Sequence, residues 1–583
     1  MSKLMTTVSW SVPAILGACA ATGIFELPAA KAQSSGDNVT YLNQAWSQDD
    51  REWYYHFSQG SVLLSYDIFL NLEVADGQDL FRSDANSERF GLIPEAASPY
   101  NPDGLPIGIS KTPVATKVGD WPAGNYVGLT CAACHESQLE YKGKHVRIEG
   151  GAANHLDVAG YFQAGDAALQ ATLSDAAKYD RLAARIGAST PDAKEALRKR
   201  LESEAAPIHY YVNRTLPTSF AWGPGRADAF SLIFDRVIST LPGIPENWST
   251  PIAPVKPPFL WNAPHGLWTQ WAGAVWDPIA RNIGETMGVF MPIDLKSKTP
   301  AEGLFQSNAA LPELQRVENQ LERLAPPSWP EDVFGKIDRE KAKAGKALFV
   351  ELCASCHNAW PYRWTEANKY GKRFVLVGLT PQSYVGTDKT QSEAVRPFAI
   401  TGPLSDALPG ELKGKAVLPA FDFRAALIRL VLETALSKYT MTEDQKLNLH
   451  GYREPQPPSP DGVYKAAPRD GVWATGPFMH NGSVPNLYEM LIPAGERTKK
   501  FYLGREFDPI KVGVDTTASA GAFLMNTTLL GNSNAGHSFQ DGPRGDGVIG
   551  PLLTDEQRWA LVEYLKSIPE EPGRVTPFGG PPQ

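Results

Sequence analysis

Two short segments of the chain share one pattern, in which two cysteines three positions apart are followed at once by a histidine. They are residues 131–135 and residues 353–357. Two thiols at this spacing can form thioether bonds to the two vinyl groups of one porphyrin, and the adjoining histidine can bind its iron. The pattern therefore predicts two covalently bound haems of the c type. The residues that would attach them are Cys131, Cys134, Cys353 and Cys356, with His135 and His357 as proximal ligands.

Other uses of such cysteine pairs fit the pattern less well. A zinc site needs a fourth ligand and usually has a wider spacing between its ligands. A thiol–disulfide redox pair does not require the histidine that follows. The fifth cysteine, Cys19, lies in an N-terminal segment that we expect to be removed, so no cysteine is left for a structural disulfide.

The composition is that of a large globular protein. The chain has 583 residues, of which 43% are apolar and 20% charged, and its formal net charge is −9. This length is enough for one large domain or for two or three ordinary domains. The acidic balance gives no sign of a nucleic acid or anionic membrane partner. With 51 glycines and 48 prolines, we expect long, ordered loops.

The N-terminus has the features of an export signal. An apolar run over residues 8–25 is followed by a small-residue cleavage site before Gln33. We therefore exclude residues 1–32 from the fold, and expect a periplasmic or secreted protein with no integral membrane segment after cleavage. Lipoprotein anchoring at Cys19 is an alternative.

The residues that flank the second motif predict two helices that pack against each other. Residues 336–349 have a helical composition, and Thr554 with Gln557 forms a capping box ahead of an apolar stripe near the chain's end. Such a pair resembles the crossed helices of a class I cytochrome c domain. We therefore predict a mainly α fold with long loop-rich insertions, in which residues 33–330 and 331–583 form two cytochrome c-like haem domains.

The first motif lies in a different setting. Residues 121–128, which precede it, have the composition of a loop, and no helical period leads into the cysteines. Residues 167–204 have a helical composition, and residues 251–258 form a proline-rich connection. We expect an N-terminal half in which much of the chain covers a small haem-binding core.

The second axial ligand decides what each haem can do. A haem with two strong ligands transfers electrons, whereas one with an open position can bind oxygen or peroxide. For the second haem the best candidate is His537, which ends the small-residue loop 531–537, where backbone can approach a porphyrin closely. His480 is the alternative histidine, and Met479 and Met525 are alternative sulfur ligands.

The first motif has no comparable loop. His145 and His155 follow it and could donate to a haem propionate or be solvated instead. The segment 261–290 gathers aromatic side chains and contains Trp276 and Glu285, our candidates for catalytic side chains. It predicts either an aromatic core or an apolar pocket over an open haem, suited to an apolar substrate.

At this point the chain resembles a known group, the two-haem c-type oxygenases typified by bacterial rubber oxygenase and the unsaturated fatty-acid dioxygenases. That group is a distant branch of the di-haem cytochrome c peroxidase and MauG superfamily. The similarity extends from about Asn43 to the terminal helix. It rests on residues 126–135, 222–230 and 477–487, and most specifically on the loop that ends at His537.

The resemblance implies a role for each haem. The N-terminal haem would be the oxygen-binding centre, with His135 as its proximal ligand. The C-terminal haem would be held by two histidines, which correspond to His357 and His537. Family members place phenylalanine in the distal pocket, and Phe290 is the best match. The implied reaction is insertion of dioxygen at a carbon–carbon double bond of an apolar olefin, such as polyisoprene or an unsaturated lipid.

Two other functions stay open. One is a peroxidase or a MauG-like oxidase, which would use an external electron donor. The peroxidase branch has a helix leading into its first motif, and the loop-like residues 121–128 depart from that pattern. An acid such as Glu285 could still assist peroxide cleavage. The other function is a pure electron-transfer cytochrome.

Overall fold

The computed structural model describes most of the chain after the expected export signal. The described residues are 38–216, 220–393, 397–457, 460–519 and 521–581. The predicted signal, its cleavage site and Cys19 lie outside these ranges. No helix within them is both long and apolar enough to cross a membrane.

The first half of the chain combines helices with two small sheets. Its α-helices are α1 (Gln48–His56), α2 (Tyr66–Asn71), α3 (Asp84–Arg89), α4 (Ala132–His135), α5 (Val158–Ser174), α6 (Ala176–Ile186), α7 (Pro191–Thr215), α8 (Ala229–Phe234), α9 (Pro278–Gly288) and α10 (Leu311–Leu321). Its strands are β1 (Val39–Tyr41), β2 (Leu64–Ser65), β3 (Ile109–Val114), β4 (Gly124–Leu129), β5 (Glu136–Tyr141) and β6 (Lys144–Glu149). The strand orders in the two sheets are β1-β6-β5 and β2-β4-β3.

The second half has longer helices and two-stranded sheets. Its α-helices are α11 (Glu331–Phe334), α12 (Arg339–Leu352), α13 (Gln382–Val385), α14 (Thr390–Glu393), α15 (Ala420–Leu436), α16 (Glu443–Leu449), α17 (Leu487–Met490) and α18 (Asp555–Ser567). Its strands are β7 (Gly378–Pro381), β8 (Phe398–Ile400), β9 (Val417–Pro419), β10 (Val463–Ala466), β11 (Lys500–Leu503), β12 (Phe507–Asp508), β13 (Gly513–Val514), β14 (Phe523–Asn526), β15 (Ser538–Phe539) and β16 (Val548–Gly550). They pair as β7 with β10, β8 with β9, β11 with β14, β12 with β13 and β15 with β16.

The prediction of a mainly α fold is wrong. Helices make up 38% of the structure and strands 15%, and the described strands are spread over seven small sheets. The stretch expected to be a loop before the first motif contains β4, which pairs with β2 and β3 in an antiparallel sheet. Its last four residues, from Tyr126 to Leu129, are all buried. Because both faces of the strand are covered there, the alternation that reveals a half-buried strand is absent.

The helix pair around the second motif is confirmed. Helix α12 begins after the N-cap Asp338, three residues later than the predicted start, and α18 begins with the predicted Thr554 and Gln557 capping box. The two helices cross at Gly345, where an added Cβ would lie 1.9 Å from the Ala560 carbonyl oxygen. Only glycine allows the two backbones to approach this closely.

The largest hydrophobic cluster draws on both halves of the chain. Trp53 and Trp261 of the first half and Trp473 and Leu561 of the second half belong to it. The Trp261 indole donates a hydrogen bond to the Asp470 carbonyl oxygen at 2.9 Å. This hydrophobic core continues across residue 330. The division into two domains at that residue stays a prediction.

Candidate haem sites

Both cysteine–histidine motifs fold into the same tight turn. The amide of His135 donates to the Cys131 carbonyl oxygen, and the amide of His357 donates to the Cys353 carbonyl oxygen, each at 2.9 Å. The first motif follows strand β4 and the second follows helix α12. The four cysteines are free thiols, as attachment to porphyrin vinyl groups requires.

The imidazole of each motif is held through its Nδ1 atom. In His135 this atom lies 2.8 Å from the Pro258 carbonyl oxygen, and in His357 it lies 3.2 Å from the Ala467 carbonyl oxygen. His135, which donates from Nδ1, leaves its Nε2 free to bind a metal. At His357 the Arg469 Nε–H also points to Nδ1, at 3.0 Å. Burial lowers the pKa of His135 to about 4 and the pKa of His357 well below its usual range. Both side chains are therefore neutral, which is the state that binds iron.

His537 lies opposite His357. Their ring centres are 6.3 Å apart. With a metal–imidazole bond of about 2.0 Å and ~1.1 Å from nitrogen to ring centre, two imidazoles on opposite sides of one metal ion have ring centres about 6.2 Å apart. Burial lowers the pKa of His537 to about 3, so this imidazole is also neutral. The spacing fits a haem iron with two histidine ligands, although the ligand role of His537 stays a prediction.

The loop that carries His537 is held by a buried arginine. The Arg497 side chain is 2% exposed and donates hydrogen bonds to the carbonyl oxygens of Asn534, Gly536 and His537 at 2.7–2.8 Å. A fourth bond reaches the Glu489 carbonyl oxygen at 3.0 Å. Sequence reasoning missed Arg497, because a side chain whose partners are backbone oxygens leaves no pattern of matching residue types.

The same loop makes a close backbone contact. An added Cβ at Gly536 would lie 2.2 Å from the Gly386 carbonyl carbon, and the His537 amide donates to the Val385 carbonyl oxygen at 2.7 Å. His537 itself has φ +44°. A non-glycine residue in the left-handed region is strained and needs its surroundings to hold it. The contacts to Arg497 and Val385 supply that restraint.

The alternative ligands of the second motif occupy other positions. His480 lines the same cavity, but its ring stacks on Tyr464 with ring centres 4.3 Å apart. Met479 also lines the cavity and accepts a contact from the Ser483 hydroxyl at 3.5 Å. Met525 is fully buried in a small cluster of its own. The structure therefore favours His537.

The cavity between the two histidines has the lining that a haem requires. It contains both cysteines of the motif, His357 and His537. Much of the remaining wall is apolar and includes Phe349, Leu352, Phe478, Met490, Phe539 and Leu561. An apolar wall with two opposed imidazoles fits a porphyrin attached at Cys353 and Cys356.

Helix α9 brings Glu285 close to the first motif. Burial, with a smaller contribution from the Glu285 carboxylate, raises the pKa of the Cys134 thiol to about 11. The same two causes raise the pKa of the Cys131 thiol. The Glu285 charge therefore acts on both cysteines of the first motif. Burial raises the pKa of Glu285 itself, and Gln270 donates a hydrogen bond to it at 3.2 Å.

Phe290 lies just beyond α9 in a strained conformation. Its φ is +74°, which is rare for a bulky residue. Its ring lies 5.2 Å from the Phe162 ring and 5.0 Å from the Tyr211 ring, and the Arg236 guanidinium lies over it at 4.7 Å. Phe290 and Cys134 border the same hydrophobic cluster. Strained residues of this kind are concentrated at functional sites.

Ser61 links the Phe290 segment to the first motif. Its hydroxyl donates to the Val289 carbonyl oxygen at 2.5 Å and accepts from the amide of Leu129, two residues before Cys131. The Val62 amide donates to the Phe290 carbonyl oxygen at 3.1 Å. The predicted distal residue and the predicted haem attachment site are therefore held in one network.

The remaining candidates near the first motif are Trp276, His145 and His155. Trp276 is half-buried in the segment before α9, and its catalytic role stays a prediction. His145 lies beside Gln138, with 3.2 Å between its Nδ1 and the amide nitrogen. His155 is held neutral, because burial lowers its pKa to about 3.

Comparison with known proteins supports a cytochrome relationship. Residues 463–502 match a family described as RoxA-like, cytochrome c-like. This segment contributes Tyr464, Lys465 and Arg469 to the cavity of the second motif. A cytochrome c-like segment implies covalently bound haem c.

Two proteins of Sinorhizobium fredii are similar over longer stretches. The uncharacterized protein y4iJ is 35% identical over 579 residues, covering 91% of this chain and 94% of its own length. The uncharacterized protein y4iM is 28% identical over 324 residues, covering 53% of this chain and 63% of its own length.

Proposed function

Since the chain belongs to the same family as the uncharacterized protein y4iJ and carries a RoxA-like, cytochrome c-like segment, we propose that it is an exported di-haem c-type oxygenase. Its substrate is an apolar olefin, such as polyisoprene or an unsaturated lipid, and the reaction adds dioxygen at a carbon–carbon double bond.

The main support for this proposal is that different residues surround the two haem-attachment motifs. At the second motif, the ring centres of His357 and His537 are 6.3 Å apart, so these two residues would hold the haem iron between them. At the first motif, Phe290 borders the same hydrophobic cluster as Cys134, and the Glu285 charge acts on both cysteines. A haem held by two histidines transfers electrons, whereas an open haem can react with oxygen. The first motif is therefore the proposed reaction centre.

The side chains around the first motif bind and orient the substrate. The haem, when bound, supplies the chemistry by which dioxygen reacts with the double bond. Phe290, Phe162 and Tyr211 offer an apolar surface for a hydrocarbon chain and exclude water. Pro258 fixes the proximal His135 through its carbonyl oxygen. Both oxygen atoms enter the product, so the reaction balances without a peroxide or an external reductant.

Oxygen uptake by the full-length protein tests the proposal. We expect uptake with polyisoprene or an unsaturated fatty acid, and products that contain both atoms of labelled dioxygen. The saturated fatty acid of equal length serves as the control substrate. A Phe290→Ala variant should lose most of this activity and keep both haems, because in this proposal the Phe290 ring contacts the substrate.

A peroxidase is the second candidate, and the position of Glu285 favours it. A carboxyl group beside an open haem can move the proton that peroxide cleavage requires. Turnover that needs hydrogen peroxide and an electron donor, and is absent with oxygen and olefin, would replace the oxygenase proposal with this one. Two haems that are both six-coordinate and unreactive toward carbon monoxide would leave an electron-transfer cytochrome.

A further inference from the structure

A group of basic side chains lines the cavity of the second motif. Besides His357, His480 and His537, the cavity wall contains Lys256, Lys465 and Arg469, together with the exposed Arg544. No aspartate or glutamate is among the residues that line this cavity. The three cations also form no ion pair with a carboxylate elsewhere in the described chain. A buried charge without a counter-ion is costly, so this arrangement needs a partner.

Lys256 is the most deeply buried of the three. Its side chain is 4% exposed, and its ammonium donates to the Pro477 carbonyl oxygen at 2.6 Å and to the Thr475 carbonyl oxygen. Burial lowers the pKa of Lys256 to about 7, and the nearby Arg469 guanidinium contributes to the decrease. Carbonyl oxygens partly satisfy this ammonium but do not neutralise its charge.

Lys465 lies on strand β10, and Arg469 follows the end of that strand by three residues. The Lys465 amide donates to the Trp271 carbonyl oxygen at 2.7 Å, and the Trp271 indole donates to the Lys256 carbonyl oxygen at 2.8 Å. Trp271 therefore fixes the backbones of both lysines around the cavity. The Arg469 Nε atom lies 3.0 Å from the Nδ1 atom of His357. Besides burial, the Arg469 charge helps to lower the pKa of both Lys256 and Lys465, so the three cations lie close enough to repel one another.

We propose that Lys256, Lys465 and Arg469 form the binding site for the two propionate carboxylates of the second haem. Two carboxylates on one rigid ring would relieve the repulsion among the cations and form charge-assisted hydrogen bonds with them. This inference rests on a haem at the second motif, and it does not rest on the oxygenase reaction at the first.

Lys465 is the better position for a test than Lys256. Lys256 lies two residues before Pro258, whose carbonyl oxygen holds His135 of the first motif. A change at Lys256 would therefore reach both haem centres. Lys465 is half-buried and lines only the second cavity among those described.

The experiment measures the reduction potential of the second haem in the full-length holoprotein. Removing a nearby positive charge favours the oxidised iron, so Lys465→Met should shift the one-electron equilibrium about tenfold, which is about 59 mV toward lower potential. The propionate bending bands of this haem in resonance Raman spectra should shift as well. Lys465→Arg keeps the charge and should restore both properties.

The matched control is Lys178→Met. Lys178 is another buried lysine, which donates to the Val74 carbonyl oxygen at 2.8 Å and lies 3.5 Å from the Glu73 carboxylate, outside the haem cavities. The Lys178→Met variant should leave the reduction potential of the second haem unchanged. If Lys465→Met loses the second haem while Lys465→Arg and Lys178→Met keep it, the charge requirement is supported.

Two results would overturn the inference. One is an unchanged potential with unchanged propionate bands in Lys465→Met. The other is a change in the second haem's spectrum when acetate or an unsaturated fatty acid is added to the wild-type protein, since the cations would then be free for an external carboxylate. Either result leaves the oxygenase proposal standing, because that proposal concerns oxygen uptake at the first motif.

Discussion

Substitution of His537 should distinguish the two haem centres, because it should change only the second. The His537 ring lies opposite His357 at 6.3 Å, so His537→Ala should open the sixth position of the second haem. We expect loss of that haem's low-spin ferric signal and carbon monoxide binding after reduction, with the first haem unchanged.

The control for this variant is His480→Ala. His480 lines the same cavity but stacks on Tyr464, so its removal should keep the low-spin signal. A His537→Ala protein that retains both low-spin haems, or that alters ligand binding at the first, would show that His537 is not the ligand.

At the level of residues, the sequence reveals functional side chains whose type and spacing are distinctive. It does not reveal side chains that form hydrogen bonds to main-chain atoms. The cysteines, His357 and His537 stand out because their types and spacing are rare. Arg497 and the hydroxyl of Ser61 do not, since their partners are main-chain atoms. The positive φ of Phe290 is also absent from any local pattern, because long-range contacts impose it.

The crossing of α12 and α18 depends on one glycine. An added Cβ at Gly345 would meet the Ala560 carbonyl oxygen at 1.9 Å, so Gly345→Ala must move one helix. We expect a loss of roughly 1–3 kcal/mol in the free energy of unfolding, the usual cost of overpacking. Because Cys353 directly follows α12, attachment of the second haem should also decrease. Denaturant unfolding and haem stoichiometry measure the two effects.

The matched control is Gly495→Ala. An added Cβ there meets nothing within 4 Å, and no unusual backbone conformation is required. It should leave both stability and haem content near the wild-type values. Equal effects of the two substitutions would contradict a role for the close crossing.

Helices with an amphipathic stripe and a cap are predictable, whereas the short strands here are not. Helix α18 shows its capping box in the sequence, and α12 is found to within three residues at each end. Strand β4 is buried on both faces over its last four residues and so shows no alternation. Pairs such as β12 with β13 contain two residues each, too few for any period.

A π-helical turn, Asp235–Thr240, continues α8 and contains a buried carboxyl group. Burial raises the pKa of Asp235 to about 7 from 3.8, although Ser249 donates hydrogen bonds to one of its oxygens. A raised pKa means that the folded state keeps a proton that the unfolded state has lost. The free energy of unfolding therefore falls as pH rises from about 4 to about 7.

Asp235→Asn should remove this pH dependence. Relative to wild type, the variant should gain up to about 4 kcal/mol in unfolding free energy between pH 4 and pH 8, since each pKa unit corresponds to ~1.4 kcal/mol. Denaturant unfolding at both pH values measures the change, and Asp406→Asn at an exposed site is the control. A constant difference between wild type and Asp235→Asn across this range would contradict the prediction.

At the scale of the whole molecule, the two motifs share one framework. The segment at Lys256 lines the second cavity, and Pro258 holds His135 of the first motif. Trp473 of the second half donates to the Pro327 carbonyl oxygen at 2.9 Å, and its ring packs against Trp329 with ring centres 5.3 Å apart. The sequence predicts two haem units but cannot reveal this shared core, because its contacts join residues far apart in the chain.

The continuous core predicts how fragments behave. Residues 331–583 produced alone should not fold stably, because Trp473 and Leu561 would lose the part of their hydrophobic cluster that the first half supplies, including Trp53 and Trp261. Exposing one such buried side chain costs roughly 1.5–3 kcal/mol, and several together exceed the stability of most domains. Limited proteolysis and the low-spin haem signal measure the outcome. A protease-resistant fragment with a normal six-coordinate haem would instead support two independent domains, and residues 38–330 produced alone provide the reciprocal test.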